Sequence, residues 1–307
     1  MTIIIKSLMH LSRFLPRINA HKTSTIWGMS QPTSYLVNGR FDGVVTPLDR
    51  GLAYGDGVFR TLPLRNGHAE CWNLHYRKLE ADCNALGIVC PAAEVLLDDI
   101  ARLTEVTEIS AVIKIIVTRG ESARGYAVPA LAQPARMVVK SAMPQYPENY
   151  HHDGVALHLC NTRLARQPRL AGIKHLNRLE NVLARMEWTD PQIADGLLLD
   201  EGGDVIECTS ANLFARFGEV MVTPDLASSG VSGVTRERLM QLIPNLGHAV
   251  EVRHVRLSEL MDADEVLMCN SLIGVWQVRQ LASHTWQAGA LAARLRELLK
   301  EDHAVSA

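Results

Sequence analysis

From Tyr35 onward, short apolar runs of β type alternate with stretches of helical spacing, and turn signals separate them. Tyr35 to Asn38 is closed by Asn38-Gly39, and Arg60 to Leu64 reads as a second strand followed by Asn66-Gly67. Asn-Gly after an apolar run favours a tight hairpin turn, because both residues tolerate positive φ. Leu74, Lys78, Leu79, Asp82 and Leu86 recur at helical spacing and stop at Gly87, a natural C-cap. Pro91 opens another helix to about Val106. Ala111 to Thr118 and Arg136 to Ala142 follow as strands, on either side of a Gly- and Pro-containing loop from Arg119 to Pro134.

Pro144 to Tyr150 interrupts all periodicity and reads as a linker. Beyond it the pattern predicts a strand at Val155 to Cys160 and a helix from about Lys174 to Trp188. Four short strands come next, at Gly196 to Leu199, Val205 to Thr209, Leu213 to Arg216 and Val220 to Thr223. A helix from Val234 to Ile243, a buried strand at Glu265 to Cys269 and a short helix in the tail complete the pattern. The expectation is an α+β protein with an N-terminal extension over 1–33, a small α/β domain over 34–145 and a larger domain over 146–307. A cleft between two such domains is where ligands tend to bind.

Composition narrows the partners. The chain has 307 residues, 47% hydrophobic and 21% charged, with a formal net charge of −2. That balance argues against nucleic acid, which demands a surplus of Lys and Arg. No apolar run approaches the roughly 20 residues of a membrane-spanning helix. The six cysteines, Cys71, Cys83, Cys90, Cys160, Cys208 and Cys269, form no CxxC pair and stand near no histidine at zinc-ligand spacing. They read as free thiols in a reducing compartment, so a cytoplasmic protein without a metal is expected. The first 28 residues carry Lys6, Arg13, Arg17 and Lys22 but no acid. Arg13 breaks their apolar stretch, which argues against a secretory signal. A basic presequence fits the composition; the simplest expectation is an upstream start codon, with Met29 as the working initiator.

Three segments carry candidate chemistry. Lys174 lies between Gly172, Ile173 and Leu176 at the expected start of a helix. Partial desolvation and the positive end of a helix dipole would both favour its neutral, nucleophilic form. A surface lysine with its stem along apolar neighbours reads equally from these residues. Glu207, in Val205-Ile-Glu-Cys-Thr-Ser-Ala-Asn-Leu-Phe214, is an acid amid apolar residues and must be exposed or paired. A carboxylate there could keep a pyridine nitrogen protonated; a salt-bridged strand acid is the alternative. Gly230-Val-Ser-Gly-Val-Thr235 enters a helix through glycine, so the amides of Val234 and Thr235 could hold a phosphate. Capping by Ser232 would account for the same segment.

An amine, an acid and a phosphate nest in this order resemble the class-IV aminotransferase family of pyridoxal-phosphate enzymes. The resemblance runs from about Tyr35 to Leu281. It includes Asp49-Arg-Gly-Leu-Ala-Tyr-Gly-Asp-Gly-Val-Phe59, Thr118-Arg-Gly-Glu-Ser-Ala-Arg-Gly-Tyr126, Gly172-Ile-Lys-His-Leu-Asn-Arg-Leu-Glu180 and Cys269-Asn-Ser-Leu272. It implies a two-domain, fold-type-IV architecture like that of the D-amino-acid aminotransferases, with the active site between the domains and the cofactor on the larger one. It also implies a homodimer.

By the same resemblance Lys174 carries the cofactor and acts as the catalytic base, Glu207 faces the ring nitrogen, and Ser210 and Asn212 line the site. Val234 and Thr235 then hold the phosphate. The family places an arginine in His-x-x-Arg-Leu on the first long helix; here the stretch is His75-Tyr-Arg-Lys-Leu79. Lys78 is therefore expected at the phosphate as a point charge, since Arg77 is displaced by about 100° on a helix. His175-Leu-Asn-Arg-Leu-Glu180 resembles the lyase branch, which eliminates pyruvate from 4-amino-4-deoxychorismate to leave 4-aminobenzoate for folate synthesis. Arg119, Arg124 and Tyr126 would then suit a substrate with two carboxylates, with Asn270 a further candidate contact, unless that segment is simply a solvated loop. A branched-chain or D-amino-acid aminotransferase, or a non-catalytic binder of pyridoxal phosphate, would carry the same lysine and acid.

Overall fold

The structure, a computed structural model, describes residues 33–104 and 110–306. The N-terminal extension and the choice between Met1 and Met29 lie outside the described residues, and the helix expected to reach Val106 ends at Leu103, with Thr104 already extended. Among the described residues no helix is long and apolar enough to cross a membrane.

The first half forms β1 (Ser34–Val37), α1 (Arg50–Tyr54), β2 (Gly57–Arg65), β3 (His68–Ala69), α2 (Trp72–Leu86), α3 (Ala93–Leu103), β4 (Ser110–Thr118) and β5 (Ala135–Ser141). Its strands make one antiparallel sheet in the order β1-β5-β4-β2-β3. Asn66-Gly67 makes the β2–β3 turn with both φ values positive, and Gly87 caps α2 in the left-handed region, as the dipeptide and glycine signals predict. Leu79 and Cys83 of α2 and Leu96, Ile100 and Leu103 of α3 pack on Leu62, Leu64, Ile113 and Ile115 to form the core beneath this sheet.

The stretch Pro144–Tyr150 is not a free linker. Tyr146 and Tyr150 stand edge-on to Trp276, with ring centroids 4.8 and 5.1 Å away, so the crossing is anchored. Edge contacts with the buried Trp276 ring hold a stretch whose Pro and polar residues mark a linker in the sequence.

The second half forms β6 (Val155–Leu164), α4 (Leu179–Arg185), β7 (Ile193–Asp200), β8 (Val205–Cys208), β9 (Asn212–Phe217), β10 (Val220–Pro224), α5 (Val234–Leu242), β11 (Ala249–Arg253), α6 (Leu257–Met261), β12 (Glu265–Asn270), β13 (Gly274–Leu281), β14 (His284–Thr285) and α7 (Leu291–Ser306). The large mixed sheet runs β11-β10-β9-β12-β13-β6-β7-β8, with β14 paired to β13. Its central strands are covered on both faces. Leu213, Ala215, Val266 and Met268 point into one core, while Phe214, Leu267 and Cys269 meet Leu239 of α5 and Leu295 and Leu299 of α7 in another. Burial on both faces explains why these strands read as continuous apolar runs.

One expected element is shorter than its sequence pattern. The helix predicted from about Lys174 begins only at Leu179, and the preceding residues are irregular or bridged. Their backbone groups are bonded to other parts of the chain. Gly172 N–H donates to Gly230 O at 2.9 Å and Ser232 N–H to Gly172 O at 3.0 Å. On the other side, Phe59 N–H donates to Lys174 O and Leu176 N–H to Gly57 O, each at 2.9 Å. A helix would need the same groups for itself. Gly172, at φ +76°, makes the bend that lets this strap run between the two halves.

Phe214 is 1% exposed at the centre of the core that joins the large sheet to α5 and α7. Phe214→Ala should cost about 3–5 kcal/mol of unfolding free energy, read from urea titration. A loss under about 1 kcal/mol would show that this core re-forms around the gap.

Candidate active site

The strap delivers Lys174 to a cavity of about 370 Å³ between the two sheets, where Glu207, Asn212, Val234 and Thr235 also lie. The Lys174 ammonium sits 4.8 Å from the centre of the Phe59 ring. Burial, and then the nearby Arg60 charge, lower its pKa to about 8, against the pull of Glu207. The cause differs from the one the sequence suggested: no helix starts at Lys174, so no helix dipole acts there. Enclosure between the two halves does it instead.

Glu207 projects from β8 and is 4% exposed. Its Oε2 accepts Val231 N–H at 2.8 Å and lies 3.4 Å from the Asn212 carboxamide nitrogen. Burial pushes the carboxyl up to about 7, although that amide, Arg178 and Lys174 all favour the ionised form. A buried carboxyl held in this way is matched by a cationic N–H in the cavity, which a protonated pyridine ring provides. No side chain forms a salt bridge with Glu207 among the described residues, so the strand-pairing alternative does not hold.

Asn212, at the start of β9, is a scaffold for both walls. Its Nδ2 donates to Val231 O at 2.8 Å, and its Oδ1 accepts Gly233 N–H at 3.1 Å. A Cβ on Gly233 would come within 2.3 Å of that Oδ1, so only glycine permits the approach. Ser210 lines the cavity, but its hydroxyl donates to Asp195 at 2.7 Å and serves to hold the turn between β8 and β9.

Gly233 is the N-cap of α5 and no side chain caps the helix. Ser232 therefore does not take the first amides, and Val234 and Thr235 remain at the cavity wall with the helix dipole behind them. Ser271 Oγ lies 3.3 Å from Thr235 Oγ1 and 3.4 Å from His75 Nε2, adding a hydroxyl to the same end. An adjoining cleft of about 720 Å³ shares this end of the wall. Amine, acid and uncapped helix start thus share one cavity, and these donors fit pyridoxal phosphate.

Several sequence-predicted residues are placed differently. The Lys78 ammonium bonds the Asp82 carboxylate and donates to Gly172 O at 3.0 Å; it props the strap and does not line the cavity. Asp82, four residues on along the same helix face, captures it. Arg77 points elsewhere, to Glu237 on α5. Arg119 is 6% exposed and fully committed: it bonds both oxygens of Asp56, at 2.7 and 3.0 Å, and the α2-end carbonyls of Leu86 and Gly87, each at 2.7 Å. It closes a helix end and is not available to a substrate. Arg124 is exposed, Tyr126 is 83% exposed against Tyr54, and neither lines the cavity. Asn270 does line it, but its Oδ1 accepts the Leu272 and Ile273 amides and its Nδ2 donates to Ser210 O.

The cavity also contains residues that the sequence reading passed over: Phe59, Arg60, Tyr146, Arg178, Asn181 and Ser271. Arg60 had a visible signal, an arginine in an apolar strand on the same face as Val58 and Leu62, both buried. Arg178 reaches back along the strap to the carbonyls of Ile173 and His175, each at 2.9 Å. Only the folded path of the strap reveals that role.

Comparison with known proteins agrees with this geometry. Residues 57–281 match the family described as amino-transferase class IV. The chain is 39% identical over 249 residues to aminodeoxychorismate lyase of Vibrio harveyi, covering 81% of this chain and 92% of that protein. It is 28% identical over 265 residues to D-alanine aminotransferase of Bacillus licheniformis, covering 83% and 90%. Among solved structures, 4-amino-4-deoxychorismate lyase from Pseudomonas aeruginosa superposes with a TM-score of 0.83 at 44% identity, covering 87% of this chain and 98% of that one. The chain belongs to the class-IV aminotransferase family, whose members depend on pyridoxal phosphate.

Proposed function

We propose that the chain is a pyridoxal-phosphate-dependent lyase that eliminates pyruvate from 4-amino-4-deoxychorismate and leaves 4-aminobenzoate, a precursor of folate. The observation that carries this reading is the convergence of Lys174, Glu207 and the uncapped start of α5 on one cavity. The similarity to lyases at 39% and 44% identity selects the reaction.

Lys174 would hold the cofactor covalently, Glu207 would face its ring nitrogen, and the Val234 and Thr235 amides its phosphate. When bound, the cofactor supplies an electron sink for the charge left on a substrate carbon that loses its proton. Lys174, once displaced by the 4-amino group of the substrate, takes the proton from C4 through Nζ; loss of the enolpyruvyl oxygen at C3 then leaves an aromatic ring. Its depressed pKa keeps a useful fraction of the amine neutral near pH 7. Phe59 and the strap fix where Nζ stands, and Glu207 holds the ring-nitrogen proton in place. An aminotransferase would use the same groups and differ in what the cleft admits. We also propose a homodimer, which would cover the exposed apolar side chains Leu179, Val182, Leu183 and Met186 on and beside α4.

Purified protein given 4-amino-4-deoxychorismate should release 4-aminobenzoate and pyruvate in equal amounts. Lys174→Ala should release neither and should lose the visible absorbance of the bound cofactor. Amino-acid-dependent formation of pyridoxamine phosphate, without 4-aminobenzoate, would favour the aminotransferase. The lysine pKa, lowered from 10.5 to about 8, means that the neutral amine accumulates as pH rises through 8. Cofactor capture by the apo-protein should therefore speed up from pH 7 to 9 and then level off; a rate still climbing at pH 10 would mean an ordinary lysine. Glu207→Gln should still capture the cofactor but turn over roughly 100-fold more slowly, or worse, in steady-state assays. Wild-type turnover in that variant would remove Glu207 from the chemistry.

A further inference from the structure

We propose that Arg60, on β2, supplies the guanidinium that binds the cofactor's phosphate, the role that the family pattern assigns to the helix position occupied here by Lys78. This rests on the cofactor reading above.

The first observation is the placement of Arg60. It is 2% exposed and lines the same cavity as Lys174, Thr235 and Ser271. One Nη bonds Asp82, but Nε is buried with no acceptor. A buried guanidinium donor without a partner is costly unless a ligand satisfies it. Lys78, by contrast, spends its ammonium on Asp82 and Gly172 O and does not reach the cavity wall.

The second observation is the charge around it. Arg60, Lys174 and Arg178 line the cavity and Lys78 lies just behind; Glu207 and Asp82 are the carboxylates among them. Counted as ionised, that is four cations against two carboxylates in an enclosed space. Lys114 of β4, 5.0 Å from the centre of the Phe59 ring, and Asp195, bonded to Ser210, stand beside this group and carry one charge of each sign when ionised. Burial lowers the pKa of all four inner cations, and repulsion from neighbouring cations adds to it for Arg60, Lys78 and Lys174. A phosphate ester carries about two negative charges. The uncapped α5 amides and the Ser271 hydroxyl mark the end of the cavity where such a dianion would lie. Of the inner cations described, Arg60 combines a planar fork for phosphate oxygens with a buried donor still unpaired. Asp82, bonded to both Arg60 and Lys78 and accepting Lys174 N–H at 3.2 Å, holds the guanidinium against the strap that carries the lysine.

The test compares pyridoxal phosphate with pyridoxal, which has the same aldehyde and ring but no phosphate. Apo-protein is titrated with each, following the visible absorbance of the complex, for wild type, Arg60→Gln, Arg60→Lys and Lys78→Met. Arg60→Gln should weaken pyridoxal phosphate roughly 10- to 100-fold and leave pyridoxal within about twofold, a selectivity that general loosening of the fold cannot produce. Arg60→Lys keeps the charge without the fork, should lie between, and carries the test if the glutamine variant does not fold. Unchanged affinity for pyridoxal phosphate in both Arg60 variants, an equal loss for both ligands, or a phosphate-selective loss in Lys78→Met alone would overturn the assignment and leave the cofactor reading standing. Wild-type protein that captures neither ligand would overturn both.

Discussion

The site depends on where three residues send their backbone hydrogen bonds. Gly172, Lys174 and Leu176 do not bond along their own segment; Gly172 bonds to the Gly230–Ser232 loop on one side, and Lys174 and Leu176 to Phe59 and Gly57 of β2 on the other. A strap tied at both edges places the lysine between two sheets that have separate cores. Such a position encloses the amine without burying it inside either core. Enclosure lowers its pKa, and the boundary leaves space for a ligand.

Asp82 extends the same constraint to charge. It is 2% exposed, and its oxygens take the Arg60 guanidinium, the Lys78 ammonium and the Lys174 amide. One helical carboxylate therefore orients a strand, its own helix and the strap. Two cations on one carboxylate still leave net positive charge, which makes this end of the cavity suited to an anion. Glu207, on the same cavity, is a buried acid that favours a cation. A ligand that carries both an anionic group and a protonated ring nitrogen suits the two together.

Three of the expected ligand contacts are held by the protein itself. Arg119, Lys78 and Asn270 each found protein partners: a carboxylate with two helix-end carbonyls, a carboxylate with a strap carbonyl, and a pair of turn amides. Side chains of this kind are shared between scaffold and ligand, and residue type does not say which will claim them. Arg60 shows the converse. Its place in an apolar strand looked like part of a sheet, yet it reaches the cavity with a donor unspent.

Much was legible in the order of residues. The strands β1, β2, β4 to β10 and β12, the helices α2, α3 and α5, the Asn66-Gly67 turn and the Gly87 cap follow from periodicities and turn chemistry that act over a few residues, whereas β3, β11, β13 and β14 did not stand out. The amine, the acid and the glycine entry to α5 were visible for the same reason. The path of the strap was not, because Lys174 to Arg178 carry helical spacing and only distant partners draw their amides away. Nor was the fate of each cation, which depends on whether a carboxylate 4 or 63 positions away reaches it. Local patterns set the elements; the competition among buried polar groups, settled only when the two halves close on the strap, set the site.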